Sequence, residues 1–214
     1  MKPVLVLYYS RHGSTKRLAD AIAQGITSTD VPVIVRTVPG LKVEEQDQDG
    51  SAVIATGESE LDVPVVSLKE LENCSALALG SPTRFGNMAA PMKHFLDTTS
   101  NLWLKGSLID KPACVFTSSS SMHGGQESTL LSMMIPLLHH GMVLCGLPYS
   151  EPELHTTTTG GSPYGVTHVA HSNLKNSNQL SDDEKSLCMA QGKRLASFAQ
   201  QLYTPTHSEN ENGI

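Results

Sequence analysis

The side chains best suited to chemistry fall in three short stretches, each rich in hydroxyls and glycine and each directly after an apolar run. The first is S-R-H-G-S-T: Ser10, Arg11, His12, Gly13, Ser14 and Thr15. The second is S-P-T-R-F-G-N-M at 81–88, which offers Pro82, Thr83, Arg84, Phe85 and Gly86. The third is S-S-S-S-M-H-G-G at 118–125, with Ser118, Ser119, Ser120, Ser121, Met122, His123 and Gly124. Hydroxyls gathered where a helix begins can bind an anion, because the first turn leaves its N–H groups without internal partners and the helix dipole is positive there. A phosphate therefore suits the first stretch, with no lysine required. The alternative, that Ser14 or Thr15 merely caps the helix, stays open for an isolated hydroxyl. Arg84 and Phe85 add donors and a flat apolar surface suited to a ring; taken alone they read equally as a capped turn with Phe85 buried. Neither the nucleoside-triphosphate loop nor the G-x-G-x-x-G dinucleotide fingerprint is present.

The intervening elements decide whether these stretches can meet. Val4 to Tyr9 is an uncharged apolar run, a buried strand, and Leu18, Ile22 and Ile26 then recur at the helical interval of four. Further strands are predicted at Val31–Val38, Ala76–Gly80, Pro112–Thr117 and Met142–Cys145. Between them, Ser67 and Glu70 form a capping-box pattern, Met88–Thr99 reads as a helix with Met92, Phe95 and Leu96 on one face, and Thr129–His140 as an apolar helix containing Pro136. Ser181 and Glu184 open a last helix running to about Tyr203, its apolar face including Leu187, Leu195 and Phe198. Strands alternating with helices give an α/β, doubly wound parallel sheet with helices on both faces. Ligands in such sheets sit outside the carboxyl ends of the strands, where all three stretches fall. Residues 39–62 lose periodicity and turn acidic (Glu44, Glu45, Asp47, Asp49), a solvated excursion. Residues 148–180, with T-T-T-T-G-G at 156–161, read as a long structureless loop serving function or association. Trp103, the only tryptophan, reads as core or interface, with ligand stacking as the sharper alternative. One domain over 1–203 and a polar, disordered tail over 204–214 complete the organisation.

Composition narrows the function. The 214 residues are 39% hydrophobic and 17% charged, with a net charge of −6. That excludes the clustered basic surface needed by a nucleic-acid or anionic-membrane binder. Cys74, Cys114, Cys145 and Cys188 are far apart and make no C-x-x-C, so they read as reduced, buried thiols of a soluble cytoplasmic protein. No apolar run approaches a membrane span or a signal peptide. The histidines show no metal-ligand spacing, and the adjacent pair His139 and His140 point in different directions on a helix, so no metal is expected.

Together with L-W at 102–103, H-G-G-Q-E at 123–127, H-H-G-M at 139–142 and G-S-P-Y-G at 161–165, the stretches make the chain resemble the tryptophan-repressor-binding protein A family over residues 2 to 203. The resemblance implies a flavodoxin-like fold, a five-stranded parallel sheet in the order 2-1-3-4-5. It implies an NAD(P)H:quinone oxidoreductase that uses flavin mononucleotide (FMN) and takes NADH or NADPH as co-substrate. Two electrons would pass through the flavin to a quinone, giving hydroquinone without semiquinone release. By the same resemblance Ser10 to Thr15 hold the flavin phosphate. Pro82, Thr83, Arg84, Phe85 and Gly86 follow the isoalloxazine, Ser118 to Gly124 close its other side, and Arg84 stabilises charge on the reduced ring. His139 resembles a flavin-contacting histidine supplied by a neighbouring subunit of a homotetramer, and Trp103 the aromatic on which quinone and nicotinamide stack. The chain departs from the family at His12, where tyrosine is common, and in a longer, serine-rich loop at 118–124. Two readings of other classes stand beside this one: a flavodoxin-type one-electron carrier between proteins, and a regulatory partner of the Trp repressor.

Overall fold

Val4, Leu5, Val6, Leu7 and Tyr8 are all sealed from solvent, which is why the first apolar run carries no alternation: it is a central strand with both faces covered. The computed structural model describes residues 1–46, 52–56, 62–170 and 179–202. The run forms β1 (Val4–Tyr8), paired in parallel with β2 (Val33–Thr37) on one side and β5 (Ala76–Arg84) on the other. β7 (Pro112–Ser119) and β8 (Val143–Leu144) continue the sheet, so the five parallel strands, counted in chain order, lie 2-1-3-4-5 as expected.

Successive residues of β1 feed opposite cores. Val4, Val6 and Tyr8 join Ala78, Phe116 and the buried faces of α1 (Ser14–Thr27) and α7 (Asp182–Leu202). Leu5 and Leu7 join Leu77, Leu79 and Val115 beneath α2 (Leu68–Asn73), α3 (Ala90–Asp97) and α5 (Gln126–His139). The helical spacing of Leu18, Ile22 and Ile26 is thus the stripe that meets the sheet, each side chain fully buried and worth about 1.5–3 kcal/mol of transfer free energy. α1 also packs hard against α7. A Cβ on Gly192 would collide with the carbonyl of Ile22, and one on Gly25 with that of Met189, so these glycines set the approach of the two helices. Both capping boxes form. Ser67 and Glu70 open α2, and at α7 the Ser181 N–H donates to Glu184 Oε2 (2.8 Å) while the Glu184 N–H donates to Ser181 Oγ (3.1 Å).

Four expectations need correction. Residues 39–62 are not without regular structure: β3 (Leu41–Gln46) and β4 (Ala52–Thr56) pair as an antiparallel hairpin. Nor is 148–180 a structureless loop. It contains α6 (Glu153–Thr156) and β9 (Val166–Val169), and β9 pairs with the second half of β7 where β8 has already left the sheet. The fifth strand position is therefore filled in two pieces, which Thr and Gly composition disguised as linker. The third strand runs on to Arg84 and returns as β6 (Asn87–Met88), giving a seven-stranded sheet. Finally, Ser118 and Ser119 are the last residues of β7 rather than loop. Asp47, Asp49, part of the 148–180 segment and the tail from 204 lie outside the described residues.

All four cysteines are buried and unbonded. Burial pushes the thiols of Cys74 and Cys145 up to about 11 and those of Cys114 and Cys188 well above the usual thiol range, so none is a nucleophile near neutral pH.

Candidate functional site

Because β1, β5 and β7 are adjacent, their carboxyl ends bring the three hydroxyl-rich stretches to one edge. There they enclose a cleft of about 420 Å³, lined by Ser10, Arg11, His12, Ser14 and Thr15, by Pro82, Thr83 and Arg84, and by Ser118, Ser119 and Ser120. Neither Ser14 nor Thr15 caps α1. The N-cap is Gly13 in the left-handed conformation (φ 86°), no side chain caps the helix, and no acidic residue occupies its first turn. Ser10 Oγ accepts the Gly13 N–H at 3.0 Å and folds the loop over the helix start, while the hydroxyls of Thr15 and Ser118 hydrogen-bond at 2.9 Å across the cleft. The first-turn N–H groups thus remain open toward a hydroxyl-lined space.

A fourth contributor was not visible in the motif. Arg17, half-buried, lies one turn into α1 with its guanidinium packed near Gly13, 3.7 Å from where a Cβ would stand, and its Nη1 atom, sealed from solvent, has no hydrogen-bond partner among the described residues. The neighbouring Lys16 is drawn away by Asp20 at 2.7 Å. The signal available in the sequence was an arginine four residues after Gly13, on the same face of the helix. An uncapped helix start and a ring of hydroxyls fit a phosphate dianion, and the Arg17 guanidinium beside Gly13 adds positive charge behind the lining residues.

Beyond Arg84 the chain reverses in two residues, Phe85 and Gly86, with φ of 52° and 74°. Two left-handed central residues define the primed turn that matches strand twist. Glycine adopts it freely, whereas phenylalanine is held there at a cost of about 1–2 kcal/mol. Phe85 is nonetheless fully exposed (108%), so the buried-turn alternative is not realised. A strained aromatic with no packing to support it is the kind of feature found at ligand sites. The hairpin beneath it is rigid: the hydroxyls of Thr83 and Thr129 meet at 2.6 Å, Thr117 Oγ1 donates to the Ser81 carbonyl (2.7 Å), and Ser81 Oγ accepts the Ala89 N–H (2.8 Å). Arg84 Nη1 donates to the Thr83 carbonyl at 2.7 Å, which orients the guanidinium along the turn.

On the far side of this hairpin a larger groove, about 1140 Å³, runs between α3, α4 (Ser100–Leu104) and α5. Its walls are apolar, with Phe85, Met88, Pro91, Leu96, Trp103, Ile135 and Pro136, and its polar groups include Arg11, Arg84, Thr99, His139 and His140. Trp103 is 52% exposed and belongs to the groove wall, not to the core. His139 lines the groove of its own chain. His140 is buried; because Thr99 Oγ1 donates to the Leu96 carbonyl (2.6 Å), it accepts from His140 Nε2–H (2.8 Å). Burial, aided by the neighbouring His139, lowers the His140 pKa and keeps this imidazole neutral.

The third stretch divides. Ser118 and Ser119 are buried and face the cleft, and Ser120 is exposed at its rim, but Ser121, Met122, His123 and Gly124 line neither cavity. Ser119 Oγ donates to the Ser121 carbonyl (2.6 Å) and accepts from Gln126 Nε2 (2.7 Å). Behind it, His168 Nδ1 lies 2.9 Å from Glu184 Oε2, and the same carboxylate accepts the N–H groups of Gly160 and Ser181. Burial alone would raise the Glu184 pKa; the hydrogen bonds and charge of His168 and the two backbone donors overcome it and hold the carboxyl below its usual range. The cleft floor is thereby anchored to the start of α7, through residues no motif marked. Among the described residues no cluster of His, Cys, Asp and Glu gathers to hold a metal ion, and no helix is long and apolar enough to cross a membrane.

Residues 3–149 match a family model described as NADPH-dependent FMN reductase. The chain is 44% identical over 202 residues to a protein of Geotalea daltonii named NAD(P)H dehydrogenase (quinone), covering 93% of this chain and 97% of that one. A protein of Syntrophobacter fumaroxidans with the same name is 42% identical over 205 residues, covering 93% and 98%. Among solved structures, a flavodoxin, WrbA-like protein from Agrobacterium tumefaciens superposes with a TM-score of 0.64 at 21% identity, covering 95% of this chain and all of that one. An archaeal flavodoxin gives 0.59 at 22%, covering 92% and 99%. The structural likenesses show the fold; the relatives near 40% identity carry the family.

Proposed function

The chain belongs to the NADPH-dependent FMN reductase family, and from that premise we propose that it is an NAD(P)H:quinone oxidoreductase that works through bound FMN. The observation that carries this reading is the junction of two cavities at one sheet edge: a small cleft built for a phosphate and a large apolar groove, separated by the exposed Phe85. Bound flavin would supply hydride acceptance from NADH or NADPH and two-electron delivery to a quinone. The protein's own part is binding and orientation. Ser10, Ser14, Thr15 and Ser118 with the α1 N–H groups hold the phosphate, and Arg17 offsets its charge. Thr83, Arg84 and Phe85 set the ring at the mouth of the groove, where the Arg84 guanidinium stabilises negative charge gained on reduction. Trp103 offers the face on which nicotinamide and quinone stack in turn. His140, neutral and hydrogen-bonded to Thr99, fixes the groove wall beside it without adding charge.

We further propose a homotetramer whose subunits complete one another's grooves. Leu131, Ile135 and Leu138 follow each other on the solvent face of α5, and Trp103, Leu104 and Ile109 are exposed as well. An apolar stripe of this kind favours association. The four buried, unbonded thiols suit a reducing compartment, the cytoplasm. The decisive experiment adds FMN to the purified protein and follows NADH and NADPH oxidation with and without benzoquinone. Rapid oxidation dependent on both flavin and quinone is expected. Tight flavin binding without turnover would replace this reading with that of a one-electron carrier, and sedimentation equilibrium decides the oligomer.

A further inference from the structure

The two cavities share only two lining residues, and both are arginines: Arg11 and Arg84. Arg84 is committed, its guanidinium donating to the carbonyl of Thr83. Arg11 is different. It is exposed, and among the described residues it has no hydrogen bond or ion pair. Lys93, another cation of the groove wall, is paired with Asp97 four residues on. The phosphate cleft, for its part, already has an uncapped helix start, with the guanidinium of Arg17 close to Gly13. One uncommitted guanidinium therefore faces the large groove, on a chain whose net charge is −6. The other walls of the groove include the exposed aromatic side chains of Phe85 and Trp103.

We propose that Arg11 determines specificity in the large groove by binding an anionic group on a planar aromatic ligand whose ring stacks on the Phe85 and Trp103 walls. The inference rests on the proposed oxidoreductase reading and deepens it by naming the ligand class: an aromatic electron donor or acceptor that carries a phosphate, sulfonate or carboxylate. A guanidinium suits such groups because its planar fork can donate two parallel N–H bonds to one anion. Two sources share this chemistry, the phosphates of a nicotinamide dinucleotide and the acidic substituent of a quinone. Both are ligands of the groove, and they are told apart by which one loses affinity.

The test uses the full-length chain loaded with FMN, as wild type, Arg11→Met and Arg11→Lys. Equilibrium titration of the oxidised protein, in which no electrons can move to the ligand, gives Kd for NADP⁺, for 1,4-naphthoquinone-2-sulfonate and for uncharged 1,4-naphthoquinone. Removing a charge-assisted hydrogen bond at an exposed site corresponds to about a tenfold loss. The expected result is that loss for the sulfonate, for NADP⁺ or for both, with neutral naphthoquinone changed less than about twofold, partial rescue by lysine and a shrinking difference as salt is raised. Loss for NADP⁺ alone assigns Arg11 to the donor, and loss for the sulfonate alone to the acceptor. Equal weakening of the neutral quinone overturns the proposal, because it marks Arg11 as mere wall. So does a variant that binds all three ligands normally, or one that loses only FMN affinity while riboflavin affinity holds, because Arg11 then serves the flavin phosphate. If the wild type binds no flavin, the oxidoreductase reading fails instead. The same titrations on the flavin-free chain then still decide whether Arg11 reads an anion.

Discussion

The small cleft and the large groove lie on either side of one hairpin, yet they are made in opposite ways. The cleft is polar and finished: its hydroxyls are already paired between helix and strand, Thr15 to Ser118 and Ser119 to Gln126, and its floor is tied to Glu184 on α7. The groove is apolar and open, with Phe85, Trp103 and Ile135 turned to solvent. A cleft preorganised by hydrogen bonds keeps its ligand in place, whereas a groove with unsatisfied apolar walls takes successive partners and gains from being covered. That contrast is what a resident cofactor and exchanging substrates require of neighbouring sites.

The contrast can be broken from the cleft side most severely. Replacing Glu184 by Ala removes the carboxylate that holds His168, Ser181 and Gly160 together, and loss of one partner from such a buried pair costs about 3–5 kcal/mol. Urea unfolding should register this, with flavin affinity lost alongside. The pH dependence has a fixed sign. Because the folded Glu184 carboxyl titrates below its ordinary 4.5, its stabilisation is present above that pH and disappears as the pH falls through the folded value. A midpoint in urea that does not drop on acidification in wild type beyond that of the Glu184→Ala variant would remove this network from the account.

Next in size is the double change Ser10→Ala with Thr15→Ala. Hydrogen bonds to a charged phosphate contribute about 1.5–3 kcal/mol each, so FMN affinity should fall at least about a hundredfold, while riboflavin, which lacks the phosphate, should bind as before. Isothermal titration with both ligands checks it. Phe85→Asn sharpens the comparison from the hairpin itself. Asparagine tolerates the left-handed turn, so the protein should gain about 1 kcal/mol in stability by chemical denaturation while the quinone KM rises several-fold. Smallest is Trp103→Ala, where about 1 kcal/mol of stacking is lost from quinone binding, read as KM, with stability changed by less than about 0.5 kcal/mol because the ring is half exposed. A variant that fails to fold would return Trp103 to the core.

Much of this was legible from residue order. The uncharged run Val4–Tyr9, the interval of Leu18, Ile22 and Ile26, and the boxes Ser67/Glu70 and Ser181/Glu184 each specify a local structure through short-range physics, and each forms. Alternation of such elements leaves few topologies, so the convergence of the three hydroxyl-rich stretches followed too. β9 was hidden because its side chains Thr167 and His168 look polar, yet they are buried with partners outside the strand, Gly161 and Glu184. The hairpin Leu41–Gln46 with Ala52–Thr56 was hidden for a related reason: pairing across strands compensates acidic composition that reads locally as coil.

The amino-acid sequence by itself determined the parallel sheet, the helices that cover it and the edge at which ligand-binding residues collect, because periodicity and capping act within a few residues. Only the tertiary structure decided which hydroxyls face the cleft, that the Arg17 guanidinium packs beside Gly13, that Phe85 is strained and exposed, and that Arg11 lines both cavities. Those properties depend on burial and charge pairing between segments distant in the chain, and no local pattern encodes them.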